Sequence, residues 1–217
     1  MQIGKQPTTR QACRILLINS ILMLAMAWAA PRAFTASNDT PSHPRIVMII
    51  APRDFTDQEY FEPRAIFEKA GAKIKVASTS AETAISHASA KVKVDQAIAD
   101  IKLDQFDAVA IAGGMGAVTY LMNDEHLRNL LVAAYKSNKV VSAICIAPAV
   151  LARAGILRNR EATCYADKTV IGILKMNGAI YLDKSVIVSG KIVTGNGPNA
   201  ARVFATKVLE QLEAAWN

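Results

Sequence analysis

The segment Ala143-Ile-Cys145-Ile-Ala147-Pro148 carries the residue best suited to chemistry in this 217-residue chain. A short β-branched run, Lys139-Val-Val-Ser-Ala-Ile144, gives way there to a helical pattern, and the cysteine sits at the junction with alanine two positions before and two after. A strand-to-helix turn that holds a nucleophile in a strained conformation leaves no space for larger neighbours, so this is the spacing of a nucleophile elbow. Pro148 suits a first helical turn, where its missing N–H costs nothing. At such a junction unpaired N–H groups and the helix dipole are expected to lower the thiol pKa, and the N–H of Ile146 can point at a developing oxyanion. An inert cysteine buried in a core strand is the competing reading, and spacing alone leaves both open.

Other chemistry-bearing residues are sparse. The three His and three Cys show neither C-x-x-C nor H-x-x-x-H spacing, which argues against zinc. His43 falls in a polar lead-in, His87 in a loop and His126 on an outer helix, so each reads as a surface residue, and no Ser-His-Asp arrangement can be assembled. On composition alone Glu59 is a solvated acid favoured in a first helical turn. Gly113-Gly-Met-Gly116 reads as a turn, because it lacks the G-x-G-x-x-G spacing of a dinucleotide loop.

The elements that must position these residues alternate regularly. Arg45 to Ile50, Lys73 to Ala77, Asp107 to Ile111 and Lys139 to Ile144 read as core strands; Asp57 to Ala70 and Asp124 to Ser137 have helical spacing, the first stopped by Gly71. Lys91-Val-Lys-Val-Asp95 alternates like an exposed strand or hairpin arm. Continuous β-branched strands alternating with helices imply a doubly wound α/β domain with a mainly parallel sheet and helices on both faces, a three-layer sandwich. Ligands of such sheets bind beyond the carboxyl ends of the strands, which singles out the loops after residues 50, 111 and 144.

With 52% apolar and 20% charged residues the chain is globular, and its length supports one core without staples. The formal charge of +7 is not a nucleic-acid signal: Lys5, Arg10 and Arg14 stand alone near the start, and the later bases are interleaved with acids. Those three bases precede the apolar run Ile15 to Ala30, and Ala27-Trp28-Ala29 fits a small-x-small cleavage site. Residues 1–29 are therefore read as a signal peptide, with an uncleaved anchor as the alternative, and residues 30–44, holding three prolines, as a flexible lead-in. The mature domain, 45–214, is expected in the periplasm or outside the cell, with no stable membrane association after cleavage.

Five motifs occur in order: Asp57-Gln-Glu59-Tyr-Phe-Glu-Pro63, the Gly113-Gly114 turn, the Cys145 elbow, Ala162-Thr-Cys-Tyr165 and Val193-Thr-Gly-Asn-Gly-Pro198. Together they resemble the ThiJ/PfpI family, or DJ-one superfamily, over about residues 45–214. The resemblance implies a flavodoxin-like fold of the class I glutamine amidotransferase-like group, a homodimer, and no bound cofactor. It makes Cys145 the reactive cysteine, Glu59 the glutamate hydrogen-bonded to its sulfur, and the backbone N–H groups of Gly114 and Ile146 the oxyanion hole. Tyr165 occupies the position that holds a histidine in several relatives. Cys164, adjacent to it on an alternating strand, is expected to point away from the elbow.

The departures bear on activity. Relatives described as peptidases or amidases have His directly after the cysteine; here the residue is Ile146. What survives is a thiolate beside a proton-sharing carboxyl, which can add to an aldehyde and move protons between adjacent carbons. The expected activity is thus cofactor-free and of glyoxalase or deglycase type, on a small aldehyde or glycated substrate. An oxidisable Cys145 in a redox-sensing or chaperone-like stress protein is the alternative, and a PfpI-type peptidase or amidase the least favoured.

Overall fold

The computed structural model describes residues 43–214. The expected signal peptide, and the lead-in up to residue 42, lie outside the described residues. Strand β1 (Arg45–Ile49) is followed by β2 (Arg53–Phe55), α1 (Asp57–Lys69), β3 (Lys73–Ser78), the hairpin β4 (Ala84–Ser86) and β5 (Lys91–Val92), and the short β6 (Gln96–Ala97). Next come β7 (Ala108–Ile111), α2 (Glu125–Lys136), β8 (Val140–Ile144), α3 (Pro148–Arg153), β9 (Glu161–Ala162) and α4 (Lys168–Met176). The domain closes with β10 (Ile180–Tyr181), β11 (Val186–Ser189), β12 (Ile192–Gly195) and α5 (Ala201–Glu213).

Strands β7, β8 and β12 are buried at every position, so each needs cover on both faces and neighbours on both sides. They lie inside a seven-stranded sheet of order β11-β12-β8-β7-β1-β3-β6, parallel throughout except for the antiparallel β11 at one edge. Helices α1 and α5 pack together, as do α2, α3 and α4, and the two groups supply the cover. This is the mostly parallel, doubly wound arrangement expected from the alternation of elements, and the flavodoxin-like fold that the family resemblance implies. At the start of β1 the Arg45 guanidinium meets the Asp107 carboxylate at 2.8 Å, tying β1 to the entry of β7. Helix α2 matches its expected bounds because Asp124 is its N-cap, with Oδ1 accepting the Leu127 N–H at 2.8 Å.

Two local readings need correction. Only Lys91 and Val92 of the alternating segment pair, as the return arm of the β4–β5 hairpin. Strand β9 stops at Ala162, so Thr163 to Tyr165 is irregular chain. Cys164 is nevertheless fully buried and Tyr165 half exposed, so the two side chains still diverge.

Candidate active site

Strand β8 delivers Ile144 to the carboxyl edge of the sheet, and the next residue bends sharply: Cys145 has φ 64°, in the left-handed region. A side chain there costs ~1–2 kcal/mol, so the surroundings must hold it. They do so through the backbone. The Cys145 N–H donates to the Gly195 carbonyl at 2.9 Å, its carbonyl accepts the Tyr165 N–H at 2.7 Å, and the Ala147 N–H closes the turn onto Ile144 at 3.1 Å. Ala143 and Ala147 are fully buried against the elbow, which is the steric reason for small residues at both positions. Helix α3 has only six residues, so individual N–H groups rather than a helix dipole act on the sulfur.

Glu59 comes from the first turn of α1, and it is 1% exposed rather than the solvated acid its composition suggested. Its Oε2 accepts the Gly113 N–H at 3.0 Å, and the carboxyl hydrogen-bonds the Cys145 side chain. Oε1 is buried without a nitrogen or oxygen partner. Gly113 is required by this close approach: a Cβ there would lie 2.7 Å from both Glu59 Oε2 and the Ile144 carbonyl, and 2.8 Å from Cys145 Cβ. Gly114 has φ 101° and its N–H, with that of Ile146, bonds the Cys145 sulfur. Gly113→Ala should therefore spread the Glu59–Cys145 pair and cost ~1–3 kcal/mol. Urea denaturation together with Cys145 alkylation rates checks this; unchanged values of both would mean that the contact is slack.

The electrostatics depart from the expected low thiol pKa. Burial pushes the Cys145 thiol up, and the charge and hydrogen bond of Glu59 push it further, outweighing the N–H groups of Gly114 and Ile146. Burial also lifts the Glu59 carboxyl to about 7, against the bonds from Cys145 and Gly113. The two groups form one titrating pair rather than two independent acids. When the pair holds a single negative charge, a thiolate can accept from two backbone N–H groups and the carboxyl O–H, whereas a Glu59 carboxylate accepts from Gly113 and the Cys145 thiol and leaves Oε1 bare.

A cavity of about 300 Å³ opens over this pair. All five residues singled out from sequence line it: Glu59, Gly114, Cys145, Ile146 and Tyr165. So do Asp54, His87 and Pro198, the last from the Gly195-Asn-Gly-Pro198 turn. Asp54 has φ 56°, so two of its lining residues other than glycine are backbone-strained, a feature that clusters at functional sites. Its walls are mainly apolar, with the polar groups converging on the sulfur. A larger cavity of about 610 Å³ flanks the outer face of α1 between Phe61, Arg64 and Lys93, but neither a cysteine nor a histidine lines it. His87 is exposed in a loop, as the sequence reading has it, and the β4–β5 hairpin brings that loop to the cavity. Among the described residues no cluster of three His, Cys, Asp or Glu side chains is arranged to hold a metal ion.

Residues 44–211 match the model of the DJ-1/PfpI family. An uncharacterized protein of Methanocaldococcus jannaschii is 40% identical over 89% of this chain and 96% of its own. A Caenorhabditis elegans protein named as a glutathione-independent glyoxalase is 31% identical over 77% of this chain and 88% of its own. Among solved structures, a ThiJ/PfpI domain protein from Brachyspira murdochii superposes with a TM-score of 0.76 at 32% identity, covering 79% of this chain and 98% of that one.

Proposed function

Because this chain belongs to the DJ-1/PfpI family, we propose that it converts small reactive aldehydes, 2-oxoaldehydes such as methylglyoxal above all, to hydroxy acids without a cofactor. The observation that carries this reading is the buried Glu59 carboxyl hydrogen-bonded to Cys145 beneath a cavity of about 300 Å³. Such a pair combines a sulfur nucleophile with a proton carrier, and the cavity above it has room for a small carbonyl compound. The C. elegans relative's name points the same way; glycated substrates are the natural extension.

In the proposed sequence the Cys145 thiolate adds to the aldehyde carbon, and the oxyanion takes up the Glu59 proton while the N–H groups of Gly114 and Ile146 hold it. Glu59, now a carboxylate, removes the hydrogen from that carbon and returns it to the neighbouring one. The product is a thioester on Cys145, which water hydrolyses. Tyr165, at the cavity wall, has an auxiliary role in orienting substrate. Ile146 contributes only its backbone, so Ile146→Ala should leave turnover within about twofold of wild type. Lactate formed from methylglyoxal by the purified protein, without glutathione, tests the reading. No lactate, together with selective oxidation of Cys145 by mild peroxide, would replace it with redox sensing.

Export and homodimeric assembly belong to the same proposal. Intact-mass analysis of protein purified from its native host should show a chain beginning near Ala30; a soluble full-length species would contradict export.

A further inference from the structure

We propose that His87 is the second proton-transfer group of the Cys145 site, acting on the ketone oxygen of a bound 2-oxoaldehyde; the inference rests on the aldehyde reading above. The missing imidazole after the cysteine is then supplied from a different element, the loop of the β4–β5 hairpin. His87 is exposed at the cavity mouth and lines the same cavity as Glu59 and Cys145.

The loop that carries it is held from several directions. The Ser86 N–H donates to the Ala90 carbonyl at 2.9 Å, the Ala90 N–H to Ser86 Oγ at 2.8 Å, and the His87 N–H to the Phe55 carbonyl at 2.9 Å. On either side of His87, Ser86 Oγ donates to Asp57 Oδ1 at 2.5 Å and the Ala88 N–H to Asp57 Oδ2 at 3.0 Å. Ser89 completes the turn at φ 70°. Both neighbours of the histidine thus hang from one carboxylate in the first turn of α1, two residues before Glu59. Burial opposes the charge on Asp57, but the bonds from Ser86 and Ala88 outweigh it and keep the carboxyl below its ordinary range. Helix α1 therefore carries Glu59 directly and His87 through Asp57, so the two are positioned by one scaffold.

The chemistry requires such a group. Moving hydrogen from one carbon to the next needs a proton on the ketone oxygen as the C–H bond breaks, and removal of a proton from the other oxygen as the second carbon is protonated. Once Glu59 has given its proton to the first oxyanion it is occupied with the carbon-bound hydrogen, and backbone N–H groups can stabilise an oxyanion without giving up a proton. An imidazole exchanges protons in both directions near neutral pH. As Glu59 takes the carbon-bound hydrogen, imidazolium protonates the ketone oxygen to give an enediol. As Glu59 returns its proton to the second carbon, neutral imidazole takes the hydroxyl proton from the first, leaving the thioester. The imidazolium is restored, no external oxidant or reductant enters, and water alone completes the cycle.

The test compares methylglyoxal kinetics and iodoacetamide alkylation in wild type, His87→Ala and His87→Gln, with and without added imidazole. The expected result is a fall in kcat of ~100-fold in both variants with KM little changed, an unchanged Cys145 alkylation rate, and partial rescue of His87→Ala by imidazole. Wild-type kcat in His87→Ala would overturn the role of His87 and leave the aldehyde reading standing. A parallel loss of turnover and alkylation would reduce His87 to a structural role. A wild-type protein without turnover would overturn both.

Discussion

Cys145→Ala should reduce methylglyoxal turnover to the level of a protein-free control. The proposed route passes through covalent adducts on this sulfur, and no second thiol lines the cavity: Cys164 is fully buried outside it. The structural cost of the substitution should be small. Alanine keeps the Cβ at the strained position, and the three backbone bonds around the elbow do not involve the sulfur. Thermal unfolding of the variant should therefore be cooperative and near that of wild type, which separates lost chemistry from lost fold. Turnover retained in a folded Cys145→Ala protein would remove the sulfur from the mechanism.

Glu59→Gln should lower turnover by ~100-fold or more, the usual loss when a positioned acid–base group is removed. The amide preserves volume, so the effect reports the missing proton carrier. The same substitution should change stability in the opposite sense at higher pH. In the folded protein the Glu59 carboxyl is raised to about 7 from an ordinary 4.5, so the folded state holds its proton more tightly than the unfolded chain. The stabilisation from this protonation is complete below about 4.5 and is lost as pH rises to about 7, whereas glutamine contributes no such slope. Denaturation midpoints across that window should fall for wild type relative to Glu59→Gln. A constant difference between the two would mean that the buried carboxyl titrates normally.

Parts of the fold and site were legible in sequence for identifiable reasons. Helix α2 announces itself by periodicity and by Asp124, whose carboxylate caps the helix as that residue type at that place should. The Cys145 elbow shows through its small neighbours, because a left-handed backbone leaves no room for anything larger. Glu59 is different: a glutamate in a first turn looks solvated, and only the family motif marked it out. Its burial depends on Gly113 and Cys145, distant in sequence, closing over it. His87 is the exposed loop residue that the sequence suggested, but its place at the cavity was not legible, since it depends on the hydrogen bonds of Asp57 across the hairpin loop. The antiparallel edge strand β11 was also missed, although Val186-Ile-Val188 is a β-branched run; alternation of strands with helices implies parallel neighbours and does not reveal the antiparallel pairing of β11 with β12. The upward push on the thiol was not legible, because elbow N–H groups are local and readable, whereas burial and the charge of Glu59 come from tertiary packing.

The central claim is that Glu59 and Cys145 share one proton so that the negative charge of the pair rests on sulfur. The pH dependence of Cys145 alkylation in wild type and Glu59→Leu tests it most directly. With the charge on sulfur, the midpoint of wild-type alkylation should lie below the free-cysteine value of ~8.5. In Glu59→Leu the carboxyl donor is gone while burial persists, and the midpoint should move above the free-cysteine value of ~8.5. A wild-type thiol silent until strongly alkaline pH, with a midpoint lowered by Glu59→Leu, would place the charge on the carboxylate and contradict the account.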